Sequence, residues 1–246
     1  IFQMNKKLVV NYFQFSSKSI LINWDNSINN HILFDVLSFM QAIKLSDKSI
    51  LEVRNTYCSL LVTYISTIDN IYSEIYSLNL IYLHKKKYNI SEKKIWKIPV
   101  CYNEYFGKDL VNISKNIKLN VEEIIKLHNE NTYTVCFLGF LPGFLYLSNL
   151  NKKLYFPRKS DPDLNIIKGS VGIGGSQTGV YPSNSPGGWN IIGNSPIDFI
   201  GGDFNDKISF ATPGDLIKFI PISQDDHKHI LNNLGSYKID SEVFNG

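Results

Sequence analysis

Between His128 and Phe219 the chain never runs far without a glycine or a proline. Gly139, Pro142, Gly143, Pro157, Pro162, Gly169, Gly172, Gly174, Gly175, Gly179, Pro182, Pro186, Gly187, Gly188, Gly193, Pro196 and Pro213 break it into short apolar pieces. A helix interior tolerates neither residue well, because proline removes an amide donor and glycine costs about 1 kcal/mol relative to alanine. What survives such punctuation is a set of short strands joined by shaped turns, as in a β-barrel or sandwich with elaborate loops.

The chain ahead of this stretch has a different rhythm. Leu8-Val9-Val10, Ser19 to Trp24 and Ser59 to Tyr64 read as strands, with Ser16-Ser17-Lys18 a turn between the first two. Ile32, Leu33, Val36, Leu37, Met40 and Ile43 recur at helical spacing, and Ile71, Ile75 and Leu78 predict a second helix. Strands and helices mixed in this way predict a small α+β domain. Lys85-Lys86-Lys87 through Ser91-Glu92-Lys93-Lys94 reads as a solvated linker, giving domains at 1–93 and 94–246. Beyond it, Asn120 and Glu123 form a capping-box signature ahead of Ile124, Ile125 and Leu127, and a last helix is predicted from about Asp225 to Leu234.

Composition narrows the classes of function. With 43% hydrophobic and 19% charged residues among 246, the chain can fill real cores and is not a disordered protein. The net charge is +3 and the lysines are scattered among acids, so nucleic acid is not the expected partner. The longest apolar run, Val135 to Leu147, is too short and too interrupted to span a bilayer, which takes about 20 residues. No basic head followed by an apolar core opens the chain, and Met4-Asn5-Lys6-Lys7 reads as a natural start, which predicts a cytoplasmic protein. Cys58, Cys101 and Cys136 are widely spaced in apolar surroundings and read as reduced, buried thiols. No Cys/His spacing fits a metal, so none is predicted.

Three segments concentrate glycine with large aromatics: Gly139 to Phe144, Gly169 to Gly179 and Tyr181 to Trp189. They read as rigid loops. The middle one fails as a phosphate loop, because Val180 and Tyr181 stand where Lys and Ser/Thr are required, and fails as a dinucleotide fingerprint, because Gln177 takes the third glycine position. Ser170 and Ser176 do not fit a nucleophile elbow. His128, ending a helix just before the first loop, is a candidate for proton transfer or a dipole-stabilised helix end. Arg158, one of two arginines, is a candidate anion holder or surface ion pair. Gln177 and Tyr181 are candidates to bind an amide or carboxylate, or to satisfy loop backbone. His31, His84, His227 and His229 read as surface or packing residues.

Gly139-Phe140-x-Pro142-Gly143-Phe144, Pro157-Arg158, the run Gly169-Ser170-Val171-Gly172-Ile173-x-Gly175-x-Gln177-Thr178-Gly179-x-Tyr181-Pro182, and Ser185-Pro186-Gly187-Gly188-Trp189 together resemble the KipI type, also called allophanate hydrolase subunit 1. The likeness extends to Pro99-Val100-Cys101-Tyr102, Phe106-Gly107-x-Asp109-Leu110, His128 and Pro213-Gly214-Asp215. It implies a ferredoxin-like α+β domain followed by a mainly β cyclophilin-like barrel. It further implies one component of an ATP-dependent 5-oxoprolinase that opens 5-oxo-L-proline to L-glutamate. The implied partners are the KipA-type and lamB-type components of that enzyme, with ATP bound at an interface between components or by a partner. The family also includes inhibitors of a sensor histidine kinase, and urea-processing carboxyltransferase relatives have similar domains.

On that reading His128, Arg158, Gln177 and Tyr181 are the expected catalytic residues, and Phe140, Pro142, Gly143, Ser170 and Thr178 line the substrate. Two departures stand out: Asn194-Ser195-Pro196 replaces the family's usual Arg-Thr-Pro, and Asp163 replaces a frequent arginine after Pro162. Two anion contacts are thereby missing, and either Lys159 or Lys168 stands in for them or the chain has drifted toward a different substrate.

Overall fold

A computed structural model describes residues 8–25, 29–46, 49–89, 93–200 and 209–244. The expected natural start at Met4 and part of the expected linker, Ile90 to Glu92, lie outside them. The chain divides into two compact units, Ile1–Asn89 and Ile90–Gly246.

The first unit runs β1 (Asn11–Ser16), β2 (Ser19–Asn23), α1 (Asn30–Ser46), β3 (Ile50–Asn55), β4 (Ser59–Tyr64) and α2 (Ile71–His84). Its strands form an antiparallel sheet in the order β1-β2-β4-β3. Ile20 and Ile22 on β2, with Leu60, Val62 and Tyr64 on β4, point every second side chain to one face, and the buried stripe of α1 (Ile32, Val36, Phe39, Ile43) joins the same core. Asp35 ties the elements together: its Oδ2 accepts from Trp24 Nε1 and Tyr82 Oη at 2.8 Å, and Lys85 Nζ lies 3.0 Å from its Oδ1. The first strand begins at Asn11, which pairs with Asn23 at the end of β2, and not at Leu8. Strand β3 escaped the sequence reading because Glu52 and Arg54 are exposed on a sheet edge, where no apolar alternation is needed.

The second unit contains β5 (Lys94–Val100), α3 (Leu110–Ile117), α4 (Val121–Glu130), β6 (Thr132–Leu138), β7 (Leu145–Ser148), β8 (Asp163–Ile166), β9 (Ser170–Gly174), β10 (Gln177–Val180), β11 (Ser185–Gly187), β12 (Asn190–Asn194), β13 (Leu216–Pro221), α5 (Gln224–Asn232) and β14 (Ser241–Val243). Eight strands form one mixed sheet in the order β12-β9-β10-β7-β6-β13-β5-β14, with β13 parallel to β5. Just past β5, Cys101 exchanges backbone hydrogen bonds with Asn194 at 2.9 and 3.0 Å, so the β12 edge meets the end of β5 and the sheet closes on itself. Asn120 caps α4 through the expected box with Glu123, and Ser223 caps α5 in the same way with Asp226.

One expectation is overturned. Gly169 to Gly179 is not a loop but the buried hairpin β9–β10, turned at Gly175 with φ +67°. Its sequence alternates: Val171 and Ile173 enter the core, while Gly172 and Gly174 sit against Trp189. A Cβ on Gly174 would stand 2.7 Å from the indole, so the glycine there admits a ring and not a loop bend.

Candidate functional site

The aromatic side chains of the two remaining segments collect in a small cluster apart from the main core, built of Phe144, Ile166, Tyr181, Trp189 and Ile191 with Leu141 and Tyr146 against it. The turn from β6 to β7 starts the assembly. Phe140 adopts φ 66° and Gly143 φ 79°, and this double left-handed bend leaves Phe140 exposed while Phe144 turns inward. Phe144 then meets Phe140, Tyr181 and Trp189 edge-on at ring distances of 5.7, 5.2 and 5.5 Å.

A two-stranded ribbon of β8 and β11 carries the opposite rim. Gly187 there lies over the Tyr181 phenol so closely that a Cβ would fall 2.3 Å from its oxygen. Arg158 is held from both sides: Asn190 Nδ2 donates to Pro157 O at 2.8 Å, and Lys159 N donates to Gly188 O at 2.8 Å. Its guanidinium projects over Trp189, 5.4 Å from the ring centroid. Among the described residues no carboxylate pairs with it.

These parts enclose a cavity of about 380 Å³ lined by Phe140, Phe144, Tyr146, Arg158, Lys159, Pro162, Tyr181, Pro186, Gly187, Gly188 and Trp189. The volume suits a small organic molecule. Burial pushes the Tyr181 phenol up to about 12, partly offset by the Trp189 backbone amide, so it stays protonated near neutrality. Lys159 does not replace the missing arginine. Its Nζ bridges Asp109 Oδ1 at 2.8 Å and Asp163 Oδ2 at 2.7 Å. Burial works against its charge, but those two hydrogen bonds outweigh it and hold the ammonium above its usual range. Asp109 also accepts from the Ile191 amide at 2.7 Å, so this ion pair joins the start of α3 to β12 behind the rim. Lys168 is likewise committed, to Asp198.

Of the residues expected from the sequence, the structure brings Phe140, Arg158 and Tyr181 to this cavity, and it does not bring His128, Pro142, Gly143, Ser170, Gln177 or Thr178. Gly143 packs on Phe199 and Ile200, Pro142 is exposed, and Ser170, Gln177 and Thr178 lie buried in the β9–β10 hairpin. Asn194 is not a rim residue either: its Oδ1 faces His227 Nε2 at 2.8 Å and its amide donates to Lys168 O, both at the seam that closes the sheet. The sequence reading missed Trp189 as the platform for the guanidinium and Asp109 as the anchor of Lys159. The glycine-flanked aromatic after Pro186 held a signal for the first, whereas nothing local marks the second.

His128 is completely buried. The last turn of α4 points its ring into the core, where it stacks on Phe219 at 4.7 Å. Its Nδ1 is 2.8 Å from Tyr102 Oη and its Nε2 2.9 Å from Thr178 Oγ1, and these hydroxyls in turn reach Asn129 Oδ1 and Gly172 O. A neutral imidazole has one donor and one acceptor nitrogen, so it donates to one hydroxyl, which passes its own hydrogen onward, while the other hydroxyl turns its hydrogen to the bare ring nitrogen and away from its second acceptor. Burial pushes its pKa down to about 3. A proton shuttle to substrate requires contact with substrate, and this ring is enclosed by protein.

Among the described residues, no helix is long and apolar enough to cross a membrane, and no three His, Cys, Asp or Glu side chains are grouped to hold a metal ion.

Comparison with known proteins agrees with this architecture. Residues 10–207 match the carboxyltransferase domain, subdomain C and D. The chain is 44% identical over 135 residues to the B subunit of 5-oxoprolinase from Bacillus subtilis and 41% identical over 130 residues to that of Escherichia coli O157:H7. These alignments cover 55% and 53% of this chain and 56% and 59% of the relatives, so the chain spans little more than half of their length. Among solved structures, the conserved uncharacterized protein PH0987 of Pyrococcus horikoshii is 35% identical with a TM-score of 0.53, over 88% of this chain and all of that one. The urea amidolyase of Kluyveromyces lactis shares the fold, with a TM-score of 0.80 at 19% identity over 95% of this chain and 16% of that one. With a matched segment that takes in most of both units, the chain belongs to the family of the carboxyltransferase domain, subdomains C and D.

Proposed function

We propose that this chain is one component of an ATP-dependent 5-oxoprolinase and that the cavity beside Trp189 receives 5-oxo-L-proline. The names of the curated relatives support the activity. The observation that carries the site is the Arg158 guanidinium, fixed at both flanking residues, lying over an aromatic platform and, among the described residues, without a carboxylate partner. A five-membered lactam with one carboxylate matches it: the guanidinium fork, backed by Trp189, donates to the carboxylate, the exposed Phe140 ring packs against the lactam, and the Tyr181 phenol stays protonated in the wall. The proton-transfer role foreseen for His128 is not retained. On this reading His128, Thr178 and Gln177 lie outside the cavity, and His128 and Thr178 pack the strand β10, which Tyr181 directly follows.

A lactam amide is a poor electrophile, and ATP supplies the phosphoryl group that turns its oxygen into a leaving group. The cavity itself does not fit a triphosphate: its second cation, Lys159, is neutralised by two carboxylates. We therefore assign the nucleotide to a KipA-type or lamB-type partner and leave to this chain the binding, orientation and shielding of the lactam. In this proposal the first domain is a ferredoxin-like variant, supported by the split β2-α1-β3 arrangement around β4, and residues 94–246 form a cyclophilin-like barrel, supported by the Cys101–Asn194 closure.

The test is co-expression with both partner proteins, followed by measurement of 5-oxoproline-dependent ADP and glutamate formation. Arg158→Ala removes charge-assisted hydrogen bonds of about 1.5–3 kcal/mol and should raise KM for 5-oxoproline roughly 10- to 100-fold. Arg158→Lys, which keeps the charge and loses the planar fork, should fall between. An assembled complex with unchanged KM on Arg158→Ala would sink the site assignment, and absence of 5-oxoproline-dependent turnover would sink the activity.

A further inference from the structure

The outer face of α2 carries apolar side chains that the first unit leaves uncovered. Tyr72 is 82% exposed, Tyr76 65%, Leu80 40% and Leu83 56%. At 100° per residue these four fall within one narrow stripe, about 16 Å long from Tyr72 to Leu83. The opposite stripe, with Ile71, Ile75, Leu78, Ile81 and Tyr82, already packs into the first core, so the exposed one is surplus to the fold.

We propose that this stripe is the contact face of a two-fold symmetric dimer of the chain, with α2 packed antiparallel against α2 of a second copy. The pattern is self-complementary. With the axis at the level of Ser77 and Leu78, Tyr72 comes opposite the second copy's Leu83, and Tyr76 opposite its Leu80 within one residue. The charges follow the same symmetry: Asp69, exposed just before the helix, comes opposite Lys86, exposed just after it. Among the described residues neither Asp69 nor Lys86 has an ion-pair partner. Antiparallel packing also sets each helix N-terminus beside the other's C-terminus, which the helix dipoles favour. A parallel arrangement would bring the two lysine-rich ends together. The paired stripes bury on the order of 1,000 Å² in total, at the low end for a specific interface, so the dimer is concentration-dependent.

Sedimentation velocity of the full chain over roughly 1 to 200 µM should show a monomer–dimer equilibrium in the micromolar range. The double substitution Tyr76→Glu and Leu80→Glu, both on exposed positions, should raise the dissociation constant more than 100-fold with an unchanged circular dichroism spectrum. Asp69→Lys and Lys86→Glu should each weaken self-association several-fold. An equimolar mixture of these two variants should recover it, because in the mixed dimer every residue at 69 faces the opposite charge at 86. A monomer across the whole range, a dimer indifferent to the α2 substitutions, or a mixture that does not recover would each overturn the proposal.

Discussion

The burial of His128 makes a quantitative demand on the pH dependence of stability. In the unfolded chain an imidazole titrates near 6.5, whereas in the folded protein burial pushes it to about 3. Between those values the unfolded state binds a proton that the native state refuses. Stability from this residue is therefore complete above about pH 6.5 and is lost as the pH falls, at up to about 1.4 kcal/mol per pH unit. From pH 7 to pH 5 the loss is about 2 kcal/mol. His128→Gln cannot titrate and leaves one or both hydroxyl partners, Tyr102 and Thr178, imperfectly bonded, so it should be less stable at pH 7 by about 1–3 kcal/mol. The gap between wild type and variant should then shrink by about 2 kcal/mol at pH 5. Guanidinium unfolding at a series of pH values, followed by tryptophan fluorescence, measures both. His227, whose pKa burial also lowers, is present in both proteins and cancels in the difference. Parallel pH profiles would refute the reasoning: they would mean that the ring titrates normally in the folded state, which is the behaviour of an accessible proton shuttle.

Other consequences follow from the site. Gly187→Ala places a Cβ 2.3 Å from the Tyr181 oxygen and 2.7 Å from Ile166 Cδ1, which should cost about 1–3 kcal/mol and alter the near-ultraviolet circular dichroism of the aromatic cluster. Asp109→Ala strips the Ile191 amide and Lys159 of an acceptor, and a fall in Tm equivalent to about 1–3 kcal/mol is expected, with an unchanged Tm contradicting the anchoring role. Cys101 and Cys136 are each 2% exposed and burial pushes the Cys136 thiol up to about 12, so a thiol reagent should label half-buried Cys58 first and reach the other two only on unfolding.

Much of this protein is written locally. The helical spacing of Ile32 to Ile43 requires α1, the Asn120–Glu123 pair requires the start of α4, and glycine and proline after His128 require short strands. These follow because periodicity, capping and backbone freedom act over a few residues, which a sequence displays directly. Glycine alone misled, because the same residue serves a bend at Gly143 and a close ring contact at Gly174, and only the neighbour across space separates the two uses. Arg158 was visible as a rarity, but that it lies over Trp189, while the adjacent Lys159 is consumed by Asp109, depends on partners 31 and 50 positions away in the chain. The fate of His128 rests on Tyr102, Thr178 and Phe219 arriving from three separate segments. Residue type sets what a side chain can do chemically; whether it meets solvent, substrate or a counter-charge is set by long-range packing, which no local pattern encodes.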